Sequence, residues 1–478
     1  MSAVSEFQKD LDIQIKPKRA LIVLATFLIL WFSPCPEGVE PGGWKVMACF
    51  VSTIVGFLTG AMPMGALVLT AITICAVSKA IPVKEALSGF SAGPVWLIAM
   101  AFFISRGFTK TGLGLRIAYY FIKWLGKKPL GLSVAVGLTT YVLAPAMPSS
   151  TARSGGTIMP LVKSVSEAYG SYPDKDRRRI GSYLMISAFN VNYPVGAAYM
   201  TAMAGNALAA GMAGSLGVEL TWFTWWWYML IPGFLGVLLT PIFIYYIYPP
   251  ELKESPKARE MAIERLKEMG PMTKPQIAMM AAFILLLVLW VFGAHIKLNA
   301  TMAAFVGILF LNYTGVLTWK DILSERGAYD CLFWFAGLIM MAGCLNKYGV
   351  IKWATSGIGA AVAGMNWPMV LLVVLLCGMY FAYCFASSTA FIGALYTALL
   401  AIGINTGVPP VLCAVSLAAV CNLHACLTFY SGGSGPVFFS QGYVTANEWL
   451  RVGFLVSVFH MITWAIFGML WWKALGLY

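Results

Sequence analysis

Apolar stretches long enough to cross a lipid bilayer recur along the whole sequence, and they constrain the fold more than any other feature. A helix of about 20 apolar residues spans the hydrocarbon core of a bilayer. Only 11% of the 478 residues are charged and 60% are apolar, whereas a soluble domain carries about 25% charged residues. So few charges cannot cover a water-exposed surface. The sequence therefore predicts an all-α polytopic membrane protein.

The positive charges lie mainly in short polar segments between the apolar stretches. The formal net charge of +13 would suggest a nucleic-acid partner in a soluble protein. In a membrane protein, Lys and Arg instead gather in cytoplasmic loops. We therefore expect the partner to be the lipid bilayer and not nucleic acid. The basic residues before the first apolar stretch predict a cytoplasmic N-terminus in a multi-pass protein of a bacterial cell membrane: Lys9, Lys16, Lys18 and Arg19.

A short polar motif interrupts the apolar sequence twice. Residues 148–156 read PSSTARSGG, and residues 386–393 read ASSTAFIG. The spacing from Ser149 to Ser387 is the same as the spacing from Gly155 to Gly393, so the two copies are in register. Two polar, glycine-containing breaks at corresponding positions of two hydrophobic halves are typical of a transporter site built from internal repeats.

The order of apolar and basic segments predicts an inverted repeat with about eleven transmembrane helices and two re-entrant hairpins. Basic clusters before and after the first motif place both ends of its segment in the cytoplasm. The second motif has few flanking charges, as expected on the external side. The predicted regions are the N-terminal segment with the first span (1–43), the first repeat (44–250, hairpin near 130–165), a cytoplasmic connector (251–276) and the second repeat (277–478, hairpin near 368–404).

Two further breaks interrupt apolar segments after the hairpins. The first covers Asn190–Gly196, which contains Pro194, and the second is the glycine-rich stretch Tyr430–Pro436. Proline, glycine and asparagine inside an apolar segment predict a discontinuous helix whose free backbone groups line a binding site.

The motifs and breaks supply the candidate substrate-binding residues. Hydroxyl groups donate hydrogen bonds to carboxylates, and the start of a helix at each motif adds N–H groups and a positive dipole end. A guanidinium stays charged and can hold a carboxylate by two parallel bonds. Two such motifs facing each other suit an anion with a negative group at each end. The candidates are Ser149, Ser150, Thr151, Arg153, Ser387, Ser388, Thr389 and His424, followed by Asn190, Asn192 and Thr428.

Each candidate also has a purely structural interpretation. Small hydroxyl residues allow close helix packing, but their repetition in register with glycine favours a site. For His424, a substrate-facing cation and a core histidine are equally compatible with the sequence. The neighbouring Cys421 and Cys426 do not have the spacing of a structural zinc site. No metal, cofactor or catalytic residue is predicted, and an anion channel or an intramembrane enzyme is the alternative from another class.

At these residues the chain resembles the divalent anion/sodium symporter family, and in particular its branch of dicarboxylate exchangers. The resemblance implies a homodimer in which each protomer has a scaffold domain and a transport domain. It also implies that the transport domain carries both hairpins across the membrane in an elevator motion. The motifs that carry the resemblance are Gly89–Ser91, Lys110–Gly114, Pro148–Arg153, Met269–Pro271, Gly435–Val437 and Gly442–Tyr443.

One departure from the family pattern concerns the coupling of transport to sodium. Sodium-coupled relatives carry Ser-Asn-Thr in the two motifs, whereas Ser150 and Ser388 occupy the middle positions here. The resemblance implies C4/C5 dicarboxylates (2-oxoglutarate, malate, succinate, fumarate class) as substrates. This difference and the charge of Arg153 predict that they are exchanged by antiport without sodium coupling. The alternative within the family is a sodium-coupled symporter of di- or tricarboxylates.

Overall fold

The computed structural model describes residues 15–354, 364–385 and 387–478. Residues 1–14, which carry part of the predicted N-terminal charge, residues 355–363, and Ala386, the first residue of the second motif, lie outside this part of the chain. The described residues form helices and no β-strand. Eight helical segments are long and apolar enough to cross a membrane. The all-α membrane class is thereby confirmed, and the number of spans stays a prediction.

The first half of the chain contains twelve described α-helices. They are α1 (Pro17–Trp31), α2 (Pro41–Thr59), α3 (Met64–Val77), α4 (Val83–Ala86), α5 (Gly93–Thr111), α6 (Leu113–Leu125), α7 (Pro129–Leu143), α8 (Ser150–Arg153), α9 (Met159–Ala168), α10 (Gly181–Ala198), α11 (Ala204–Ser215) and α12 (Trp222–Ile247).

The described part of the second half continues the series. Its α-helices are α13 (Pro256–Met269), α14 (Lys274–Phe292), α15 (Ala300–Tyr313), α16 (Trp319–Leu323), α17 (Arg326–Lys347), α18 (Trp367–Tyr380), α19 (Ser388–Phe391), α20 (Thr397–Asn405), α21 (Pro410–Leu423), α22 (Ser434–Phe439), α23 (Ala446–Thr463) and α24 (Met469–Ala474).

The chain divides into two compact units. The first comprises Met1–Ala92 and Asp330–Gly357, and the second comprises Gly93–Tyr329 and Ile358–Tyr478. In the first unit α2 packs against α1 and α3. Outside its apolar helices, Glu85 accepts hydrogen bonds from Tyr348 (2.6 Å) and Lys347 (2.9 Å). Burial alone would raise the pKa of Glu85, but these two donors hold it below its usual value.

Both repeated motifs and both further breaks belong to the second unit. Helix α10 lies at its centre, because all eighteen of its residues are buried. It packs against α7, α12 and α21. An apolar helix with no exposed face is expected inside a membrane protein that encloses it with other helices. This position brings the polar side chains of α10 next to the motifs.

The first motif lies where two helical segments meet. Helix α7 ends in a tight turn at Ala144–Ala146, and the helix that starts at Ser150 continues without interruption through α9. The residues on either side of this segment meet the same part of the connector. The Ser255 N–H donates to Lys127 O (2.7 Å), and the Ala258 N–H donates to the Tyr169 hydroxyl (2.9 Å). The segment therefore leaves and returns to one place, which supports the predicted hairpin.

The second motif repeats this arrangement. Helix α18 is followed by a turn at Phe381–Cys384, and a new helix starts at Ser388 and runs through α20. Helices α18 and α20 pack against each other. Each motif helix contains one π-helical turn, and the two turns, Ser154–Ile158 and Ile392–Tyr396, occupy corresponding positions of the repeat. Such turns are rare and often mark functional sites.

The break predicted at Asn190–Gly196 is wrong in position. Helix α10 continues through Pro194, which removes only one N–H from its hydrogen-bond ladder. Gly236 of α12 leaves room for the ring, since a Cβ at Gly236 would lie 2.7 Å from Pro194 Cβ. The chain breaks later, between the extended residues Tyr199 and Met203.

The second predicted break lies close to the observed one. Helix α21 ends at Leu423 and is followed by one tight turn at His424–Leu427. The loop Thr428–Gly433 then separates this turn from α22, so the predicted residues Ser434–Pro436 are already helical. A short helix starting with Ser-Gly-Pro is physically reasonable, because proline is well tolerated in the first helical turn.

Candidate functional site

The first serine of each motif caps the helix that follows it. Ser149 Oγ accepts a hydrogen bond from the Ala152 N–H (3.1 Å), and Ser387 Oγ accepts one from the Ala390 N–H (3.4 Å). The N–H groups of the next two residues have no partner within the helix. Each motif therefore presents backbone donors and a positive dipole end, which together attract a carboxylate.

Arg153 is fully buried and binds only neutral groups among the described residues. Its Nη1 donates to Met147 O (2.7 Å) and to Ala202 O (3.1 Å). Its Nη2 donates to Asn192 Oδ1 (2.9 Å), while its Nε has no partner in the described chain. The side chain thus joins the first motif to the break after α10. Its positive charge at the motif is not paired with a carboxylate of any residue that the structure describes.

Two residues of α10 reach the second half of the chain. Asn192 Nδ2 donates to Ser434 Oγ (3.4 Å), and the Tyr193 hydroxyl lies 3.2 Å from the same oxygen. Ser434 is the first residue of α22 and is buried. A polar chain therefore runs from Arg153 through Asn192 to Ser434 and links the two halves at one place.

The loop Thr428–Gly433 brings the two motifs together. Thr428 Oγ1 accepts from the Ser431 N–H (2.9 Å), which shapes the loop. The second motif is held there because Ser388 Oγ donates to Ser431 O (3.0 Å). The first motif touches the same loop, since a Cβ on Gly433 would overlap Thr151 Oγ1. Thr428 and Ser388 therefore shape the site, and a side chain at position 433 would force Thr151 to move.

His424 lies at the second motif but makes no hydrogen bond there. It is fully buried, and neither ring nitrogen has a partner among the described residues. Its ring packs edge-on against Phe391, with 4.5 Å between the ring centroids. Phe391 occupies the position that corresponds to Arg153 of the first motif.

Helix α10 and helix α21 with the turn that follows it also correspond, but the spacing between their matching residues differs from the spacing between the two motifs. The spacing from Asn190 to Asn422 is the same as the spacing from Asn192 to His424. Both asparagines of the first pair donate to the carbonyl four residues earlier, Asn190 to Ile186 O (2.7 Å) and Asn422 to Ala418 O (3.1 Å). The pair Arg153–Asn192 in one half thus corresponds to Phe391–His424 in the other. The site is asymmetric in charge although its backbone is repeated.

The remaining candidates are divided between accessible and enclosed positions. Thr151 is exposed, and Ser150 and Thr389 are half-buried, so their hydroxyls remain accessible to a ligand. Asn190 is fully buried, and its Nδ2 is bound within its own helix. Its Oδ1 has no partner among the described residues. The structure therefore places Asn190 behind the motifs, and the other candidates at the motifs or at the loop that joins them.

The sequence did not indicate a second polar link between the halves. Asn206 Nδ2 donates to Gly196 O (2.7 Å) and Tyr199 O (2.8 Å), at the end of α10. Its Oδ1 accepts from Asn422 Nδ2 (2.7 Å). Asn422 could have been found from the sequence, because it occupies the position that corresponds to Asn190 in the other half. No sequence motif close to Asn206 indicates that it contributes to the site.

Paired helix starts, accessible hydroxyls and a buried cation lie among helices of which eight are long and apolar enough to cross a membrane. Together they define a class, the multi-pass membrane transporters. Residues 15–478 match the family described as sodium:sulfate symporter transmembrane region. The chain therefore belongs to that family, the divalent anion:sodium symporters, which confirms the resemblance seen in the sequence. It is a transporter and not an enzyme.

Several relatives are similar over nearly their whole length. YflS of Bacillus subtilis (strain 168), provisionally named a malate transporter, is 43% identical over 480 residues, which is 100% of each chain. Dicarboxylate transporter 1, chloroplastic, of Spinacia oleracea is 43% identical over 97% of this chain and 82% of its own. The crystal structure of the YdaH transporter of Alcanivorax borkumensis has a TM-score of 0.56 at 13% identity, covering 96% and 97% of the two chains. This last similarity concerns the fold alone.

Proposed function

We propose that the protein exchanges C4/C5 dicarboxylates across a membrane by antiport, without sodium coupling. Relatives that are 43% identical are named for malate or dicarboxylate transport. The substrate class is therefore 2-oxoglutarate, malate, succinate or fumarate. One carboxylate would bind the N–H and hydroxyl groups of Ser150 and Thr151. The other would bind the N–H groups of Ser388 and Thr389 and the Thr389 hydroxyl, because the Ser388 hydroxyl already donates to Ser431 O. The elevator motion, the homodimer and the location in a bacterial cell membrane with a cytoplasmic N-terminus are parts of this proposal.

The single observation that carries the exchange mechanism is the buried charge of Arg153. The guanidinium binds two backbone carbonyls and one amide, all of them neutral. Without substrate this charge is uncompensated, and moving it through the low-dielectric part of a bilayer is costly. A bound dicarboxylate brings two negative charges, which offset the guanidinium together with the positive dipole ends of the two motif helices, each equivalent to about half a unit charge. The loaded carrier therefore crosses readily and the empty carrier does not, which makes exchange obligatory.

The same contacts argue against a sodium ion at the first motif. Sodium sites in broken-helix transporters use backbone carbonyls freed by the break. Here Met147 O and Ala202 O already accept hydrogen bonds from Arg153. The fixed cation thus takes the place that a mobile cation would need.

Transport into proteoliposomes tests this proposal. We expect uptake of labelled malate only into vesicles loaded with an unlabelled dicarboxylate, at equal rates with sodium or potassium outside. Arg153→Ala should reduce this uptake severely, and protein-free liposomes provide the background. Rapid sodium-driven uptake into empty vesicles would favour the symporter, and unchanged uptake by Arg153→Ala would remove Arg153 from the site. Competition among malate, 2-oxoglutarate, succinate, fumarate, tartrate and citrate then ranks the substrates.

A further inference from the structure

Helix α6 is too short to cross a membrane and has charges at both ends. It contains 13 residues, and a helix of that length is about 20 Å long, less than the thickness of the hydrocarbon core. Just before it, Lys110 forms an ion pair with Asp321 (2.7 Å). Just after it come Lys127 and Lys128. Because charged groups stay at the water interface, both ends of α6 belong to the same membrane surface.

One face of α6 exposes aromatic side chains. Tyr120 and Trp124 lie one helical turn apart and are 38% and 64% exposed. The Trp124 ring lies 6.1 Å from the Tyr120 ring and 5.8 Å from the Phe121 ring, measured between centroids. Other parts of α6 pack against α7 and α13. Trp and Tyr are enriched where lipid meets water, and the exposed face of α6 fits that boundary.

Three lysines adjoin this aromatic face and keep their charges uncompensated. None of them forms an ion pair with a residue that the structure describes. The connector packs next to them, since Arg259 Nε donates to Lys123 O (3.1 Å). Residues 251–260 of the connector contain three glutamates against two lysines and one arginine, so their charges cancel. The surface therefore carries the positive charges of Lys123, Lys127 and Lys128.

The backbone between α6 and α7 is held in one arrangement. The Ser255 hydroxyl donates to Gly126 O (2.9 Å), and the Ser255 N–H donates to Lys127 O (2.7 Å). A Cβ on Gly131 would overlap Leu125 O, so the first turn of α7 rests directly on the end of α6. The lysines therefore extend from a fixed backbone, which lowers the entropic cost of binding a ligand.

An amphipathic helix with an aromatic face and adjoining lysines is suited to a membrane surface that contains anionic lipids. From these features we propose that α6 lies in the headgroup region of one leaflet and binds an anionic phospholipid. The acyl chains contact Tyr120 and Trp124, and the phosphate lies at the ammonium groups of the three lysines. Lysine stems can lie along apolar surface while their charges reach the headgroup. This interaction surface is separate from the proposed transport site and does not depend on exchange.

Lipid titration of the purified full-length protein in mild detergent, followed by native mass spectrometry, tests the surface. The probes are phosphatidylglycerol, which is anionic, and phosphatidylcholine with the same acyl chains, which is zwitterionic. We expect tighter binding of phosphatidylglycerol. Replacing all three lysines by glutamine should weaken its binding about fivefold or more, since one lysine near an anionic surface contributes about that factor. Binding of phosphatidylcholine should not change. The matched control replaces three exposed lysines elsewhere and should change neither affinity: Lys175→Gln, Lys267→Gln and Lys274→Gln.

Trp124→Ala tests the aromatic part of the surface separately. It should weaken the binding of both lipids by a similar factor, because the indole contacts acyl chains and not the headgroup charge. Three results would overturn the proposal. They are equal affinities of the unmodified protein for the two lipids, an equal loss of phosphatidylglycerol binding in the control variant, and dissociation of an oligomer by Trp124→Ala. The last result would assign the aromatic face to a second copy of the chain.

Discussion

At the scale of single residues, the two halves of the site differ in which residues occupy corresponding positions of the repeat. Arg153 corresponds to Phe391, and Asn192 corresponds to His424. In the first half the pair is joined by a charged hydrogen bond of 2.9 Å, and in the second half by a ring contact of 4.5 Å. The backbone is repeated, but the fixed charge is present on one side only. A substrate with two similar carboxylates would therefore meet two unlike partners.

The geometry of Arg153 matters as well as its charge, and Arg153→Lys separates the two. A lysine keeps the charge, but its compact ammonium cannot reach Met147 O, Ala202 O and Asn192 Oδ1 together. Loss of charged hydrogen bonds worth about 1.5–3 kcal/mol predicts an exchange rate reduced roughly 10- to 100-fold. Dicarboxylate counterflow in proteoliposomes measures this change. Arg265→Lys, at an exposed position of the connector, should retain the full rate, and a fully active Arg153→Lys would show that charge alone suffices.

At the scale of helices, side-chain amides hold the broken helices in place. Asn206 closes the end of α10 and accepts a hydrogen bond from Asn422 of α21. Both residues are buried. An unpaired amide in such a position loses its partner without gaining water. The breaks are therefore supported by buried polar contacts between the two halves, which fixes them relative to each other.

A double-mutant cycle measures the link between these two helices. We expect Asn206→Ala and Asn422→Ala each to lower the unfolding free energy, with a coupling of about 0.6–1.7 kcal/mol, the range seen for polar pairs in membrane proteins. Thermal unfolding in a mild detergent gives the values. The exposed Asn447→Ala, combined with Asn206→Ala, should be additive. A coupling near zero would show that the hydrogen bond between the two amides does not stabilise the fold.

Outside the apolar helices, Asp321 links the short helix α16 to the end of α5 by an ion pair with Lys110. Lys110 Nζ donates to Asp321 Oδ2 (2.7 Å), and the Thr318 N–H donates to the same oxygen (2.8 Å). These donors, Lys110 first, hold the pKa of Asp321 well below its usual range. The contribution of Asp321 to stability is therefore fully present above its unfolded pKa of about 4 and is lost only as the pH falls below it.

This assignment predicts how Asp321→Asn depends on pH. Loss of the capping carboxylate should cost about 1 kcal/mol. The difference in Tm from the unmodified protein should stay constant from pH 8 to about pH 5 and shrink only below about pH 4. Thermal unfolding across this range provides the test, with the exposed Asp174→Asn as control. A difference that already disappears near neutral pH would contradict the lowered pKa.

At the scale of the whole molecule, the sequence could predict the helices and the two motifs but not the contacts between them. Both predicted motifs start a helix as expected, at Ser150 and at Ser388. The matched spacing of the two motifs is a property of the chain alone. The break after α10 was misplaced because Pro194 can stay in a helix when Gly236 makes room for it. Asn206 and Asn422 lie far apart in the chain, and no local pattern records such a contact.

The paired motifs make a prediction about topology that labelling can test. If both hairpins are re-entrant, cysteines placed before and after each one will react from the same side. Lys128→Cys and Lys175→Cys should react with an impermeant maleimide only in inside-out vesicles. Asn366→Cys and Asn405→Cys should react only in right-side-out vesicles. The background variant has serine at the exposed native cysteines, Cys35 and Cys384.

The labelling pattern decides between two arrangements because each one fixes the direction of both motif helices. If α7 crossed the whole membrane, Lys128 and Lys175 would react from opposite sides, and the inverted repeat would be contradicted. With re-entrant hairpins, the helix starts at Ser150 and Ser388 approach the middle of the membrane from opposite faces. That arrangement directs two positive dipole ends at one dianion. Labelling of the first pair from inside and the second from outside would therefore support both the topology and a substrate held at its two ends.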